Sequence, residues 1–79
     1  MNVFQHKELT QDDVDMYYFY RKNGINAGFF ERYHRYLGVS NTYVDAFNKA
    51  NEEFFTLFGE YRYSTYGSFR HQHKKYINE

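Results

Sequence analysis

Ser64, Ser68, His71 and His73 lie close together near the C-terminal end of the chain, and they are the residues with most obvious chemical capacity. A serine nucleophile needs a base within hydrogen-bond reach and an enclosed pocket around both. Ser64 and Ser68, however, stand where a helix start needs hydroxyl caps, which is the commoner use of serine. His71 and His73 are two residues apart. On a helix that spacing turns the two imidazoles in different directions, whereas paired metal ligands sit three or four apart. His34 and His6 could join them only through tertiary placement. Gly24, Gly28, Gly38, Gly59 and Gly67 are scattered and form no phosphate-cradling loop, and cysteine is absent. The sequence therefore predicts no catalysis, no cofactor and no metal centre.

The composition points instead to contact. Ten Tyr and nine Phe stand among 79 residues with no Trp, Pro or Cys. A buried Tyr packs like a hydrophobe but asks for a hydroxyl partner, so a domain this small cannot shelter all ten. The run Met16-Tyr17-Tyr18-Phe19-Tyr20 covers more than one face of a helix, which predicts a surplus aromatic surface or a self-association seam. Arginine is interleaved with the rings at Tyr20-Arg21, Arg32-Tyr33, Arg35-Tyr36 and Tyr61-Arg62-Tyr63. Tyr and Arg are enriched at the energetic centres of protein interfaces, although guanidinium groups also stack on rings within one molecule. The residues expected to make a protein-binding surface are Tyr17, Tyr20, Arg21, Arg32, Arg35, Tyr61 and Tyr63.

Charge adds a second candidate. Ten Lys and Arg balance ten Asp and Glu, so there is no strong overall pull toward nucleic acid or anionic lipid. From Tyr61 to Asn78, though, Arg62, Arg70, Lys74 and Lys75 occur with no acidic residue among them, while Glu8, Asp12, Asp13 and Asp15 cluster near the start. Arg70, His71, Lys74 and Lys75 fall on one side of the final helix. They are expected to be a charged rim to a protein interface or a face for nucleic acid.

Four helices must position these groups. Thr10-Gln11-Asp12-Asp13 supplies a cap hydroxyl and first-turn carboxylates for a helix over 11–22, closed by Asn23-Gly24. Asn26 is placed to cap a second, over 27–37, with Phe29, Phe30, Tyr33, Tyr36 and Leu37 on one face. Ser40, Asn41 and Thr42 precede a third, over 41–58. Its apolar side runs through Tyr43, Val44, Phe47, Ala50, Phe54, Leu57 and Phe58. Its polar side carries Asp45, Asn48, Lys49, Asn51, Glu52 and Glu53. Glu60-Tyr61-Arg62-Tyr63 reads as an extended connection, and Ser64 or Thr65 caps a last helix over 65–77 that packs through Tyr66, Phe69, His73, Tyr76 and Ile77. The expected fold is all-α: a single bundle of three to four short helices following an arm at 1–9.

No stretch approaches the length of apolar sequence that a membrane span requires, and the opening residues lack the apolar run of a signal peptide. Secretion and membrane insertion are both disfavoured, and the absence of cysteine suits a reducing compartment.

The segment Tyr63-Ser64-Thr65-Tyr66-Gly67-Ser68-Phe69-Arg70 resembles the C-terminal end of short, Tyr- and Phe-rich proteins encoded by bacteriophages and prophages of low-GC bacteria. The resemblance implies a stand-alone binder in the bacterial cytosol that occludes or redirects a host or defence protein stoichiometrically. Two other functions fit the residues. One is a nucleic-acid-binding or transcription-regulating module using the last helix. The other is a homo-oligomeric structural component, for which a homodimer is the simplest form.

Overall fold

The computed structural model describes residues 10–77, and the arm expected at 1–9 lies outside them. The architecture is all-α, with α1 (Gln11–Asn23), α2 (Ile25–Leu37), α3 (Tyr43–Phe58) and α4 (Tyr66–Ile77). Thr10 and Asp13 form a reciprocal capping box at the start of α1, the Asp13 amide donating to Thr10 Oγ1 at 3.2 Å and the Thr10 amide to Asp13 Oδ2 at 3.0 Å. Such a pair satisfies two of the amides that a helix start leaves open. Thr42 caps α3 through the Asp45 amide, and Thr65 accepts from the Ser68 amide ahead of α4.

One residue joins the first two helices. The Gly24 amide donates to Tyr20 at 2.8 Å and closes α1, and its carbonyl accepts from Gly28 at 2.9 Å and opens α2. With φ 91° and ψ 157° it occupies a region that only glycine enters without strain. Helix α2 thus begins before Asn26, and Asn26 is not its cap. Its side chain accepts a hydrogen bond from Arg62 instead. Gly59, at φ 80°, ends α3 in the left-handed conformation expected there.

The core is built from rings. Tyr20 from α1, Phe29, Phe30 and Tyr33 from α2, Phe47 and Phe54 from α3, Tyr63 from the connection and Phe69 from α4 are all buried, alongside Ala46, Ala50 and Leu57, with Met16 and Leu37 packed at the edge. The rings meet mostly edge to face, the favoured arrangement for aromatic quadrupoles. Tyr20 stands nearly perpendicular to Phe54 and Phe58, with centroids 5.6 and 5.5 Å away. Phe69 is the one residue of α4 that is fully buried, and it touches Tyr33 at 4.6 Å and Phe47 at 5.0 Å. Small residues let the helices approach: Gly28 lies directly against the Tyr20 ring.

The third helix departs from its expected faces at its start and in the middle. Tyr43 and Val44 stand exposed before the bundle begins to enclose the helix. Asn51, expected on the solvated side, is buried, and its amide group binds the backbone of the connection: Nδ2 donates to the Tyr63 carbonyl at 2.8 Å, and Oδ1 accepts from the amides of Arg62 and Tyr63 at 2.9 and 3.3 Å. The backbone of the stretch 60–63 pairs with this side chain and forms no strand. On α4, Tyr76 rests on Phe30 with 4.5 Å between centroids but stays largely exposed, as does Ile77. Among the described residues no helix is long and apolar enough to cross a membrane.

Candidate functional site

Exposed and half-buried rings lie on α1, on the C-terminal half of α3 and in the connection that follows it. Tyr18 is 64% exposed and leans edge-on against Tyr17 at 5.9 Å, and Tyr17 in turn meets Phe58 at 5.8 Å. Phe55 stands three residues before Phe58, so the two are neighbours on the surface of α3. Phe55 is 40% exposed and packs on Tyr61, itself 50% exposed, with 4.6 Å between centroids. Tyr18–Tyr17–Phe58 and Phe55–Tyr61 are two groups of contacting rings, linked through the three-residue spacing of Phe55 and Phe58 on α3, and together they are called the aromatic ledge. Its base is rigid because Phe58 also packs on buried Phe54 at 4.5 Å.

Polar groups fix the two ends of the ledge. The Tyr61 hydroxyl donates to Glu52 Oε1 at 2.6 Å, which holds its phenol above the ordinary pKa of 10.0 and anchors the ring. At the other end the Arg21 guanidinium lies 5.9 Å from the centre of the Tyr17 ring, so a cation flanks the aromatic surface.

The residues expected to bind a protein separate into three groups. Tyr17 and Arg21 lie at one end of the ledge and Tyr61 at the other. Arg35 is exposed but sits on α2, loosely paired with Glu31 at 3.6 Å. Tyr20, Arg32 and Tyr63 do not form a docking surface. Tyr20 is 1% and Tyr63 7% exposed, and both are core rings. Arg32 is turned inward, forking onto Glu53 with Nε at 2.8 Å and Nη2 at 3.0 Å, while the Tyr36 hydroxyl donates to the same carboxylate at 2.7 Å. The bidentate pairing, with the ring of Tyr36 5.3 Å from the guanidinium, raises the Arg32 pKa still further. Arg62 likewise stacks on Tyr63 at 4.5 Å. Two of the expected Arg–Tyr anchors are thus consumed within the molecule.

Phe55 is the member of the ledge that periodicity passed over. Its signal was adjacency: with Phe54 on the core stripe, the next residue must face roughly 100° away.

On α4, Arg70, His71, Lys74 and Lys75 are all exposed and make no ion pair with another described residue. No group of three or more His, Cys, Asp or Glu side chains converges among the described residues. His34 and His73, however, 39 positions apart in sequence, face each other across α2 and α4 with 2.8 Å between their Nε2 atoms. His71 is not part of this pair.

Comparison of the chain with protein-family models, with curated proteins and with solved structures gave no match.

Proposed function

We propose that this chain is a stoichiometric protein-binding module that docks through the aromatic ledge of Tyr17, Tyr18, Phe55, Phe58 and Tyr61, with Arg21 at its margin. The observation that carries the reading is the exposure of Tyr18 and of the contacting pair Phe55 and Tyr61, on either side of Phe58, which packs on the core ring Phe54. Such a surface loses little side-chain freedom on binding, and large rigid rings are the usual anchors of interfaces. The resemblance of residues 63–70 to short phage and prophage proteins extends the proposal to the partner: a bacterial host or defence protein, inhibited or modulated by occlusion. The test is affinity capture from bacterial lysate with the parent protein and with Tyr18→Ala/Tyr61→Ala. A partner recovered by the parent and lost by the folded double variant supports the reading. Equal recovery by both overturns it.

A second reading rests on the positive face of α4, which makes no ion pair with another described residue. Arg70, His71, Lys74 and Lys75 would there contact nucleic-acid phosphates, with affinity falling steeply as salt is raised. Retention on heparin and a gel shift that both disappear in Arg70→Glu/Lys74→Glu would favour this role over the ledge.

A further inference from the structure

The contact between His34 and His73 joins two helices and has a geometry that a metal ion can use. We propose that these two imidazoles form a binding site for one divalent late transition-metal ion, with zinc as the representative, clasping α2 to α4. Their Nε2 atoms face each other at 2.8 Å and their rings are nearly perpendicular, at 77° with centroids 5.0 Å apart. Without metal, one nitrogen donates its proton to the other. Two imidazoles on a tetrahedral zinc, each about 2.0–2.1 Å from the ion, stand roughly 3.3 Å apart, so the pair must open by only about half an ångström.

The two ligands are built differently. The ring of His73 stacks on buried Phe69 at 5.4 Å, within 19° of parallel, and contacts Phe30 and Tyr33 at 5.4 and 5.2 Å. It is a fixed donor with its orientation set by the core. His34 is exposed on α2, touching Tyr33 at its side, and has room to make the small movement. One fixed and one adjustable ligand, already aimed at a common point, reduce the ordering that binding must supply. Imidazole nitrogens suit zinc, copper and nickel rather than magnesium or calcium. Water completes the coordination, because among the described residues only these two bring ligand atoms to this point.

The site is tested by calorimetric titration of the chelator-treated protein with zinc chloride, in parallel with thermal unfolding followed by circular dichroism. The expected result is one zinc per chain, with a midpoint that rises as zinc is added and returns when chelator is restored. His34→Ala and His34→Gln lie at the surface and leave the core rings in place. Both are expected to keep the helical signal and to lose the heat and the thermal shift, while His71→Ala keeps both. No binding by the parent protein overturns the site, as does undiminished binding by either His34 variant. One zinc for every two chains would place the ligands between copies and overturn it equally.

Discussion

Gly28 and Tyr20 are in contact so close that the backbone of α2 serves as a wall for the ring: a Cβ at position 28 would fall 2.6 Å from Tyr20 Cδ1 and 2.9 Å from Cε1. Alanine is about 1 kcal/mol the better helix former. Here that gain is outweighed, because the Tyr20 ring is itself pinned between Phe54 and Phe58. Gly28→Ala is expected to destabilise the fold by about 1–3 kcal/mol, the usual range for overpacking. Urea unfolding measures it, and a variant as stable as the parent would refute the close-packed α1–α2 contact.

The same ring carries a penalty that mutation can remove. The Tyr20 hydroxyl is buried with no hydrogen-bond partner among the described residues. Tyr20→Phe is expected to be neutral or to stabilise by up to about 1 kcal/mol, since it deletes a desolvated polar group and keeps the ring. Burial, and then the nearby Glu53 carboxylate, push the Tyr20 phenol far above its ordinary value of 10.0. The folded state therefore favours the neutral phenol. Its stability is intact below pH 10 and falls as pH rises past that value, where only the unfolded chain ionises freely. Alkaline unfolding of Tyr20→Phe should begin at higher pH than that of the parent.

Asn51 holds the α3–α4 connection with three hydrogen bonds to the backbone of Arg62 and Tyr63. Alanine at this position leaves buried backbone groups without partners, a cost of about 2–4 kcal/mol. Leucine, although closer in size, should be no better. Amide hydrogen exchange at residues 62 and 63 should quicken in both variants, and unchanged protection would show that the connection is held by something else.

Acid should loosen α4 first. Burial, and then the neighbouring His34, lower the pKa of His73 from 6.5, so the fold favours its neutral form. The unfolded chain binds the proton more readily. Stability is then complete above about pH 6.5 and declines as pH falls through the lowered value. In metal-free buffer His73→Phe, which keeps a ring against Phe69, should flatten this acid limb. An unchanged limb would assign the loss to other groups.

Helices were legible because caps and glycines punctuate them. Thr10, Thr42 and Thr65 all accept the amide three residues on, as their types and positions suggest. Asn26 misled because Gly24 both ends one helix and starts the next, leaving no turn to cap. The candidate surface was less legible. Periodicity assigns a face, but the fate of a ring depends on what another helix lays across it. Tyr17 and Tyr20 are three residues apart on the same helix, yet Tyr20 is sealed by α2 and α3 while Tyr17 remains at the margin. Arg32 and Arg35 have similar sequence neighbours, and only Arg32 finds a carboxylate, Glu53, on the facing helix. The His34–His73 contact depends wholly on tertiary placement, so spacing along the chain carries no trace of it.

Because a single residue joins α1 to α2, the two helices are phase-locked. Inserting one amino acid after Gly24 would rotate the following helix by roughly 100° and advance it by about 1.5 Å, swinging Phe29 and Phe30 out of line with the partners they now meet. The longer link between α3 and α4 has slack that could absorb such a change. Length variation in this protein should therefore be tolerated near Glu60 and forbidden at the first joint.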